Sequence, residues 1–260
     1  MKITIIGSGN VATHMAAALK NAGHYIKQVY SPNYQNASLL AYHVKAEAID
    51  NLQQLSSDTD LFIISIKDDA IEEVAGAIAG YQKLTVHTSG ATSMQTLLNH
   101  THNAGVFYPL QTFSKIREVN FRTVPLCIEG SDVSITAQLK ELAQTISNNV
   151  YEVNSEQRRI LHLSAVFACN FPNYLYYTAQ KLLAQHQLDF NLLRPLILET
   201  AEKVQQQFPA DVQTGPAIRN DVKTMDAHLA LLKDNAELSR IYEMLSQAII
   251  KMGTDKPSIA

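Results

Sequence analysis

The chain has 260 residues, 46% of them hydrophobic and 17% charged, so a large buried core is feasible and disorder is not expected. Its formal net charge is −3 and it has no long run of Lys or Arg, so nucleic acid is not an expected partner. No apolar run approaches the roughly 20 residues of a membrane span, so a membrane is not an expected partner either. Cys127 and Cys169 form neither a CxxC pair nor a zinc spacing, and the N-terminus does not resemble a secretory signal, which together predict no metal site and a cytoplasmic location.

Seven short apolar runs in the first half predict β-strands. They lie at 3–6, 26–30, 61–66, 84–88, 105–109, 124–128 and 149–153. Helix-like stretches fall between the early runs, at 11–23 and 70–80, with Gly23 and Gly80 where helix C-caps usually occur. This alternation predicts an α/β fold in which residues 1–153 form a doubly wound, mostly parallel Rossmann domain.

Helical periodicity replaces the strand signals after about residue 154. The stretches 156–186, 191–207 and 234–252 predict an all-helical domain over 154–260, which would bind substrate and dimerise. The first stretch is apolar on most faces and must be covered on most sides, so a homodimer formed through these helices is expected. Pro172 lies inside that stretch and predicts a local kink, because it removes a backbone hydrogen bond.

A glycine-rich turn follows the first predicted strand. It fits the pattern G-x-G-x-x-A, in which the first glycine permits a tight turn, the second lets the backbone approach a pyrophosphate, and the small last residue lets helix and strand pack closely. The helix N-terminus would present free N–H groups to the phosphates. The predicted dinucleotide-binding residues of this turn are Gly7, Ser8, Gly9, Asn10, Val11 and Ala12.

The end of the second predicted strand indicates which dinucleotide binds. NAD sites usually carry an acidic residue there, bonded to the ribose 2′-hydroxyl. This chain has Ser31 and Asn33 and no carboxylate, and both side chains could donate to a 2′-phosphate, which favours NADP(H). An ordinary strand-end turn is the alternative explanation of the same residues.

Polar residues end three later strands, where ligands bind in open α/β sheets. Ser65 and Ile66 follow the third predicted strand and are expected at the cofactor, while Asp68 and Asp69 beyond them could either line the site or cap the next helix. The segments His87–Gly90 and Tyr108–Gln111 are expected on the nicotinamide and substrate side, although His87 could equally be a buried structural histidine.

One face of the long predicted helix carries polar residues. His162, Asn170 and Asn173 recur there at helical spacing together with Val166 and Tyr177. Such a stripe could line a polar cleft, or its members could hydrogen-bond to neighbouring helices.

A non-helical break at 214–221 carries two further candidates. Arg219 could bind a substrate carboxylate or the cofactor phosphates, and Asp221 could cap the following helix.

Several segments together resemble one family. They are MKITIIGSGNVATHMAAAL at the start, HTSG, FYPLQTF, HLSAVFACNFPNYL and TGPAIRND. The family consists of Rossmann-like NADP oxidoreductases with an uncharacterised helical C-terminal domain. The N-terminal half also resembles deazaflavin-dependent NADP oxidoreductases and pyrroline-5-carboxylate reductase, and the helical half resembles the C-terminal domains of the 6-phosphogluconate dehydrogenase superfamily.

The last resemblance bears on the catalytic residues. In β-hydroxyacid dehydrogenases and ketopantoate reductases of that superfamily, the first interdomain helix offers a Lys and a following Asn to the substrate. This chain has His162 where the Lys would be, with Asn170 and Asn173 downstream. The resemblance therefore implies a site on this helix, but not the standard hydroxyacid dehydrogenase mechanism.

The sequence as a whole predicts an NADP(H)-dependent oxidoreductase that moves hydride to or from a small carbonyl or imine substrate. His162 would act as general acid or base, because an imidazole exchanges protons near neutral pH, and Asn170 and Asn173 would hold and polarise the substrate. The residues expected to orient the substrate are Ser89, His87 and Arg219. The alternatives are a dinucleotide-binding regulator without turnover and a flavin- or deazaflavin-coupled NADP reductase.

Overall fold

The computed structural model describes residues 1–254 and divides the chain into two compact units. The first comprises Met1–Tyr174, and the second begins at Leu175.

One eight-stranded sheet forms the centre of the first unit. Its strands are β1 (Lys2–Ile6), β2 (Tyr25–Tyr30), β3 (Glu47–Ile49), β4 (Leu61–Ile64), β5 (Leu84–His87), β6 (Ala104–Pro109), β7 (Leu126–Gly130) and β8 (Val150–Glu152). All seven predicted strands are present. The additional strand, β3, was not predicted because it has three residues and only Ile49 among them is buried, so it carries no apolar run.

The strand order confirms the predicted Rossmann architecture. The order is β3-β2-β1-β4-β5-β6-β7-β8, and neighbouring strands are parallel except β6 and β7. The chain order reverses at β1, which lies between β2 and β4. Ligands of open α/β sheets bind at such a switch point, outside the carboxyl ends of the strands.

Apolar residues cover both faces of the sheet, as expected for parallel strands. In β4, Leu61 and Ile63 belong to one buried cluster, while Phe62 and Ile64 belong to another. Successive side chains of a strand point to opposite faces, so this strand is buried on both sides and appears in the sequence as a continuous apolar run.

Five helices accompany the sheet. They are α1 (Asn10–Asn21), α2 (Tyr34–Val44), α3 (Ile71–Ile78), α4 (Gln95–Leu98) and α5 (Val133–Ile146). The helix α1 buries Ala12, Met15, Ala16 and Leu19, a stripe at helical spacing that packs beside the first strands. This packing fixes the N-terminus of α1 at the carboxyl end of β1.

The two predicted C-cap glycines differ in outcome. Gly23 has φ +89 just after α1, the left-handed conformation that glycine tolerates best. Gly80 instead lies in a 3₁₀ turn at Ala79–Tyr81, and the left-handed residue that ends this segment is Gln82, with φ 53. The prediction for Gly80 was therefore wrong.

The long predicted helix is interrupted near Pro172. It consists of α6 (Ser155–Ala165), a π-helical segment (Val166–Asn170) and α7 (Phe171–Gln185). Proline has no N–H to donate to the carbonyl of Ala168, four residues earlier, so the ordinary helical bond is lost in the turn where the helix widens. The predicted disturbance thus takes the form of a π-helical segment.

The second unit is helical. After the remainder of α7 it contains α8 (Arg194–Gln206), α9 (Val222–Leu231) and α10 (Ala236–Thr254). Asp221 is the N-cap of α9 and accepts a hydrogen bond from the Thr224 N–H at 3.1 Å, so the predicted capping role is confirmed. None of the helices in the described part of the chain is long and apolar enough to cross a membrane.

Candidate functional site

A cavity of about 880 Å³ opens in the first unit at the switch point of the sheet. It is bordered by the glycine turn, by the ends of β2, β4, β5 and β6, by one face of α3 and by α6. The lining residues are Gly7, Ser8, Gly9, Asn10, Val11, Tyr30, Ser31, Pro32, Leu52, Ser65, Ile66, Lys67, Asp68, Ala70, Glu73, Val74, Ala77, Thr88, Ser89, Gly90, Tyr108, Pro109, Gln111 and His162.

The glycine turn has the geometry that a phosphate site requires. Gly7 has φ +125 and donates to the Tyr30 carbonyl at 2.8 Å, and a Cβ at this position would collide with the Ser65 carbonyl. A Cβ on Gly9 would meet nothing within 4 Å, so the backbone there is open to the cavity. Gly9 is also the N-cap of α1 and has no side chain to cap the helix, which leaves N–H groups free for an anion.

The remaining cofactor candidates divide into those on the cavity wall and those beside it. Ser31, Ser65 and Ile66 line the cavity. Ala12 is buried against the sheet, as expected for the small residue that lets helix and strand pack closely. Asn33 is not among the lining residues, because its side chain caps α2 by accepting the Asn36 N–H at 3.2 Å.

A tyrosine and a histidine meet on the cavity wall. The hydroxyl of Tyr108, near the end of β6, lies 3.1 Å from Nδ1 of His162 in α6, with the rings edge to face. Burial raises the pKa of Tyr108 to about 12, so the phenol stays neutral beside the imidazole. Gly90 lies directly below the His162 ring, where a Cβ would come within 2.6 Å of Nδ1. The close approach of the β5 loop to α6 therefore requires glycine.

Ser89 and His87, on the same segment, have different surroundings. Ser89 lines the cavity, and its Oγ accepts the N–H groups of Ala91 and Thr92 at 3.1 and 2.9 Å. His87 is fully buried and outside the lining, with Nδ1 accepting the Ser89 N–H at 3.2 Å. Burial first, and the charge of Arg158 second, lower the pKa of His87 to about 3. His87 is thus a buried histidine, as one of the two predicted alternatives required, but it is not fully satisfied, because its Nε2 has no hydrogen-bond partner among the described residues.

The other predicted substrate residues lie outside the lining of this cavity. Asn170 and Asn173 are exposed, in the π-helical segment and at the start of α7. Arg219 is exposed in the second unit. Their predicted roles remain predictions.

The two aspartates after β4 do not cap the following helix. Asp68 lines the cavity from a 3₁₀ turn at Asp68–Ala70, and the N-cap of α3 is Ala70. No side chain in the described part of the sequence caps α3. The capping interpretation of Asp68 and Asp69 was therefore wrong.

Tyr108 and Gln111 are among several lining residues for which the sequence predicted no individual role. Tyr108 and Gln111 lie in the FYPLQTF segment, which was assigned only to the substrate side. The Oε1 of Gln111 accepts the Thr112 N–H at 2.7 Å, which leaves its amide nitrogen free to contact a ligand. The signal for Tyr108 is its polar hydroxyl at the end of an otherwise apolar strand, but its partner His162 is 54 positions away and could not be identified from spacing.

The fold and the cavity define a dinucleotide-binding enzyme of the Rossmann class. Two family models match the sequence: one described as NADP oxidoreductase coenzyme F420-dependent, over residues 2–89, and a domain of unknown function, DUF2520, over residues 124–249. No curated protein matches the chain.

Solved structures share the whole architecture. A "putative NADP oxidoreductase" from Bacteroides fragilis is 44% identical with a TM-score of 0.90, over 96% of this chain and 98% of that one. An imine reductase from Myxococcus stipitatus in complex with NADP⁺ is 15% identical with a TM-score of 0.66, over 98% and 93% of the two chains. A 1-pyrroline-5-carboxylate reductase from Streptococcus pyogenes is 14% identical with a TM-score of 0.64, over 97% and 98%.

The chain belongs to the family of NADP oxidoreductases to which the Bacteroides fragilis protein also belongs. The resemblance inferred from the motifs, the oxidoreductase class and NADP(H) as the cofactor are thereby confirmed. The two distant reductases share the fold.

Proposed function

We propose that this NADP oxidoreductase transfers hydride between the nicotinamide C4 and the carbonyl or imine carbon of a small substrate. The observation that carries the proposal is that one cavity contains both the open glycine turn and the Tyr108–His162 pair. NADP(H), when bound, supplies or takes up the hydride. The imine and pyrroline-5-carboxylate reductases that share the fold support a C=N substrate.

His162 is the proposed proton-transfer residue. Hydride addition leaves an anionic oxygen or nitrogen on the substrate, which must be protonated, and the reverse reaction must remove that proton. In the proposed tautomer, Nδ1–H of His162 donates a hydrogen bond to the Tyr108 oxygen, so Nε2 is the nitrogen that gains and loses the transferred proton. A neutral phenol suits this task, because a phenolate would hold the imidazole in its charged form.

Ser89 is the proposed donor to the substrate heteroatom. Its oxygen already accepts two backbone N–H groups, so its own proton remains available to stabilise developing negative charge. Asn170, Asn173 and Arg219 stay in the proposal as substrate-binding residues, on the sequence argument alone. We assign His87 a structural role in place of the predicted substrate contact, because it is buried behind the cavity wall.

The turn at the end of β2 is proposed to select the 2′-phosphate of NADP(H). Ser31 lines the cavity, Asn33 begins α2 beside it, and neither is acidic. Ser31→Asp should weaken NADPH more than NADH through charge repulsion, by about tenfold in relative affinity. Ser57→Asp, an exposed serine outside the lining, serves as the control. Tighter binding of NADH than NADPH to the unmodified protein would contradict the assignment.

A deazaflavin-coupled reductase is the second candidate. It is favoured by the match of residues 2–89 to a model described as coenzyme F420-dependent. In that case the hydride acceptor in the cavity is a deazaflavin ring.

The experiment follows NADPH absorbance with purified protein, a panel of cyclic imines and small carbonyl compounds, and oxidised F420 in parallel. Oxidation of NADPH by a panel compound supports the main proposal, and oxidation by F420 alone supports the second. Tight NADPH binding without oxidation in any arm contradicts both and leaves a dinucleotide-binding regulator.

A homodimer is proposed from the exposed apolar helices. Among the residues that the structure describes, α7, α8 and α9 contain none that is buried. Their large exposed apolar side chains include Leu175, Leu196, Leu198 and Leu231. Exposed apolar surface of this extent is typical of an interface, and obligate homodimers usually bury more than about 2,000 Å².

A cytoplasmic location is proposed from the cysteines. Cys127 is buried, Cys169 is exposed, and both are free thiols. An exposed free thiol is compatible with a reducing compartment.

A further inference from the structure

Arg158 is a fully buried arginine in the first turns of α6, and the proposed mechanism does not use it. Its Nη1 lies 2.5 Å from Oε2 of Glu129, the strand residue at the end of β7. Its Nη2 donates to the Thr92 carbonyl at 2.6 Å. One side chain thus joins three separate parts of the chain: a sheet strand, the loop after β5, and the helix.

Ser155 completes this network. Its hydroxyl donates to Oε2 of Glu129 at 2.7 Å and accepts the Met94 N–H at 3.0 Å and Nη2 of Arg158 at 3.1 Å. Its backbone N–H donates to Oε1 of the same carboxylate at 3.0 Å. The network therefore fixes both the loop after β5 and the N-terminus of α6.

Stability alone is a weak reason to keep such a pair. Removing two charges from water is costly, and buried ion pairs can often be replaced by apolar residues without loss of stability. The Nε of Arg158 has no hydrogen-bond partner among the described residues, so even this network leaves one donor unsatisfied. A planar guanidinium whose two terminal nitrogens bind different elements is, however, well suited to setting the relative position of those elements.

Those elements are the two sides of the His162 site. His162 lies four residues after Arg158, on the same face of α6. Thr92 follows Gly90, the glycine that lies directly against the His162 ring. We propose that Arg158 is a positioning residue, which clamps α6 to the β5 loop and so holds His162 in hydrogen-bond contact with Tyr108. The inference rests on the proposed role of His162.

The test is nitrogen NMR of the histidine rings in the full-length protein, because protonated and unprotonated ring nitrogens give distinct signals. The His162 signals are identified by their loss in His162→Asn. Arg158→Met should lower the ratio of Nδ1–H to Nε2–H tautomers of His162 by about threefold or more. Arg158→Lys keeps a charge for Glu129 but cannot also reach Thr92, so it should give an intermediate ratio. Arg159→Met, an exposed neighbouring arginine, should leave the ratio unchanged.

An unchanged His162 tautomer ratio in a folded Arg158→Met protein overturns the inference. If that variant does not fold, Arg158→Lys replaces it, and a tautomer ratio equal to that of the unmodified protein overturns the inference. The tautomer ratio can be measured without any turnover of substrate. A protein that shows the tautomer change but reduces no substrate refutes the proposed function and not the clamp.

Discussion

The two glycines of the phosphate turn are needed for different reasons. Gly7 has a left-handed backbone and a carbonyl where a Cβ would lie, so any side chain there disrupts the turn itself. Gly9 has open space beside it, so a variant with a side chain at this position should still fold. That side chain would, however, occupy the path of the pyrophosphate. Substitutions at Gly9 therefore separate ligand binding from folding.

Gly9→Asp should lower NADPH affinity by at least about tenfold, or ~1.4 kcal/mol, because a carboxylate would face the phosphates. Isothermal titration calorimetry measures the affinity, and circular dichroism checks the fold. Gly80→Asp is the matched control, since a Cβ there also meets nothing within 4 Å but the residue lies outside the cavity. Equal NADPH affinity in the two variants would remove the phosphate site.

The burial of His87 predicts a pH dependence of stability. Its pKa in the folded protein is about 3, below the ordinary value of 6.5, so only the unfolded chain takes up a proton between these values. The contribution of His87 is therefore complete above about pH 6.5 and is lost as the pH falls toward 3, by about 1.4 kcal/mol per pH unit.

Urea unfolding at pH 6.5 and pH 5 measures this loss. His87→Asn, whose side-chain oxygen can still accept the Ser89 N–H, should show a much smaller fall in the free energy of unfolding. His102→Asn, an exposed histidine, should behave like the unmodified protein. The same fall in all three proteins would show that His87 is not the cause.

Sequence was sufficient for those parts of the site that depend on local pattern. The turn Gly7–Ala12 could be recognised because its chemistry is contained in six consecutive residues. Tyr108 and Arg158 could not be recognised from the sequence, because the partner of each is distant along the chain. Tyr108 contacts His162, and Arg158 contacts Glu129. The predicted helix stripe included His162, which lines the cavity, but periodicity could not show that Asn170 lies outside the lining.

At the scale of elements, the N-terminal cap of α9 is an interaction that stabilises a helix of the second unit. Asp221 accepts the Thr224 N–H at 3.1 Å and the Thr224 hydroxyl at 2.7 Å. Both interactions lower the pKa of Asp221, because they favour its charged form.

Asp221→Ala removes the acceptor that caps α9 and should lower the Tm of the protein by about 2–4 °C. Differential scanning fluorimetry measures the Tm. Asp226→Ala, at an exposed position in the middle of α9, removes the same charge without removing a cap and should have little effect. Equal shifts in the two variants would argue that the charge, and not the cap, is responsible.

The strands were easier to predict than the element ends. Parallel strands such as β4 are buried on both faces and give continuous apolar runs, whereas the edge strand β3 is short and half-exposed. Helix ends depend on competition among neighbouring residues, and at the end of α3 the chain adopted the left-handed conformation at Gln82 although Gly80 was available. The local sequence pattern does not show which of these residues adopts the left-handed conformation.

At the scale of the whole molecule, the boundary between the Rossmann domain and the helical domain is proposed to lie between residues 153 and 154. The compact units instead divide within α7, after Tyr174. The difference has a physical origin, since α6 is tied to the sheet through Arg158 and Tyr108 although its sequence pattern is helical.

The homodimer can be tested by light scattering on a size-exclusion column at low micromolar concentration. The expected mass is twice 28.8 kDa. Leu196→Glu in α8 should weaken the dimer, because it places a charge on the apolar surface proposed as the interface. Leu39→Glu in α2 is the control, with a similar exposed fraction of 65% against 62% for Leu196. A monomer mass for the unmodified protein would refute the dimer.

The most direct test of the proposed activity is deuterium transfer from NADPH labelled at the nicotinamide C4, followed by mass spectrometry of the products. The panel contains imines, carbonyl compounds and oxidised F420. We expect one deuterium on the reduced carbon of a panel compound, and a rate at least about a hundredfold lower in His162→Asn with NADPH affinity unchanged. Tight NADPH binding with no deuterium in any product would contradict the assignment of this cavity as a hydride-transfer site.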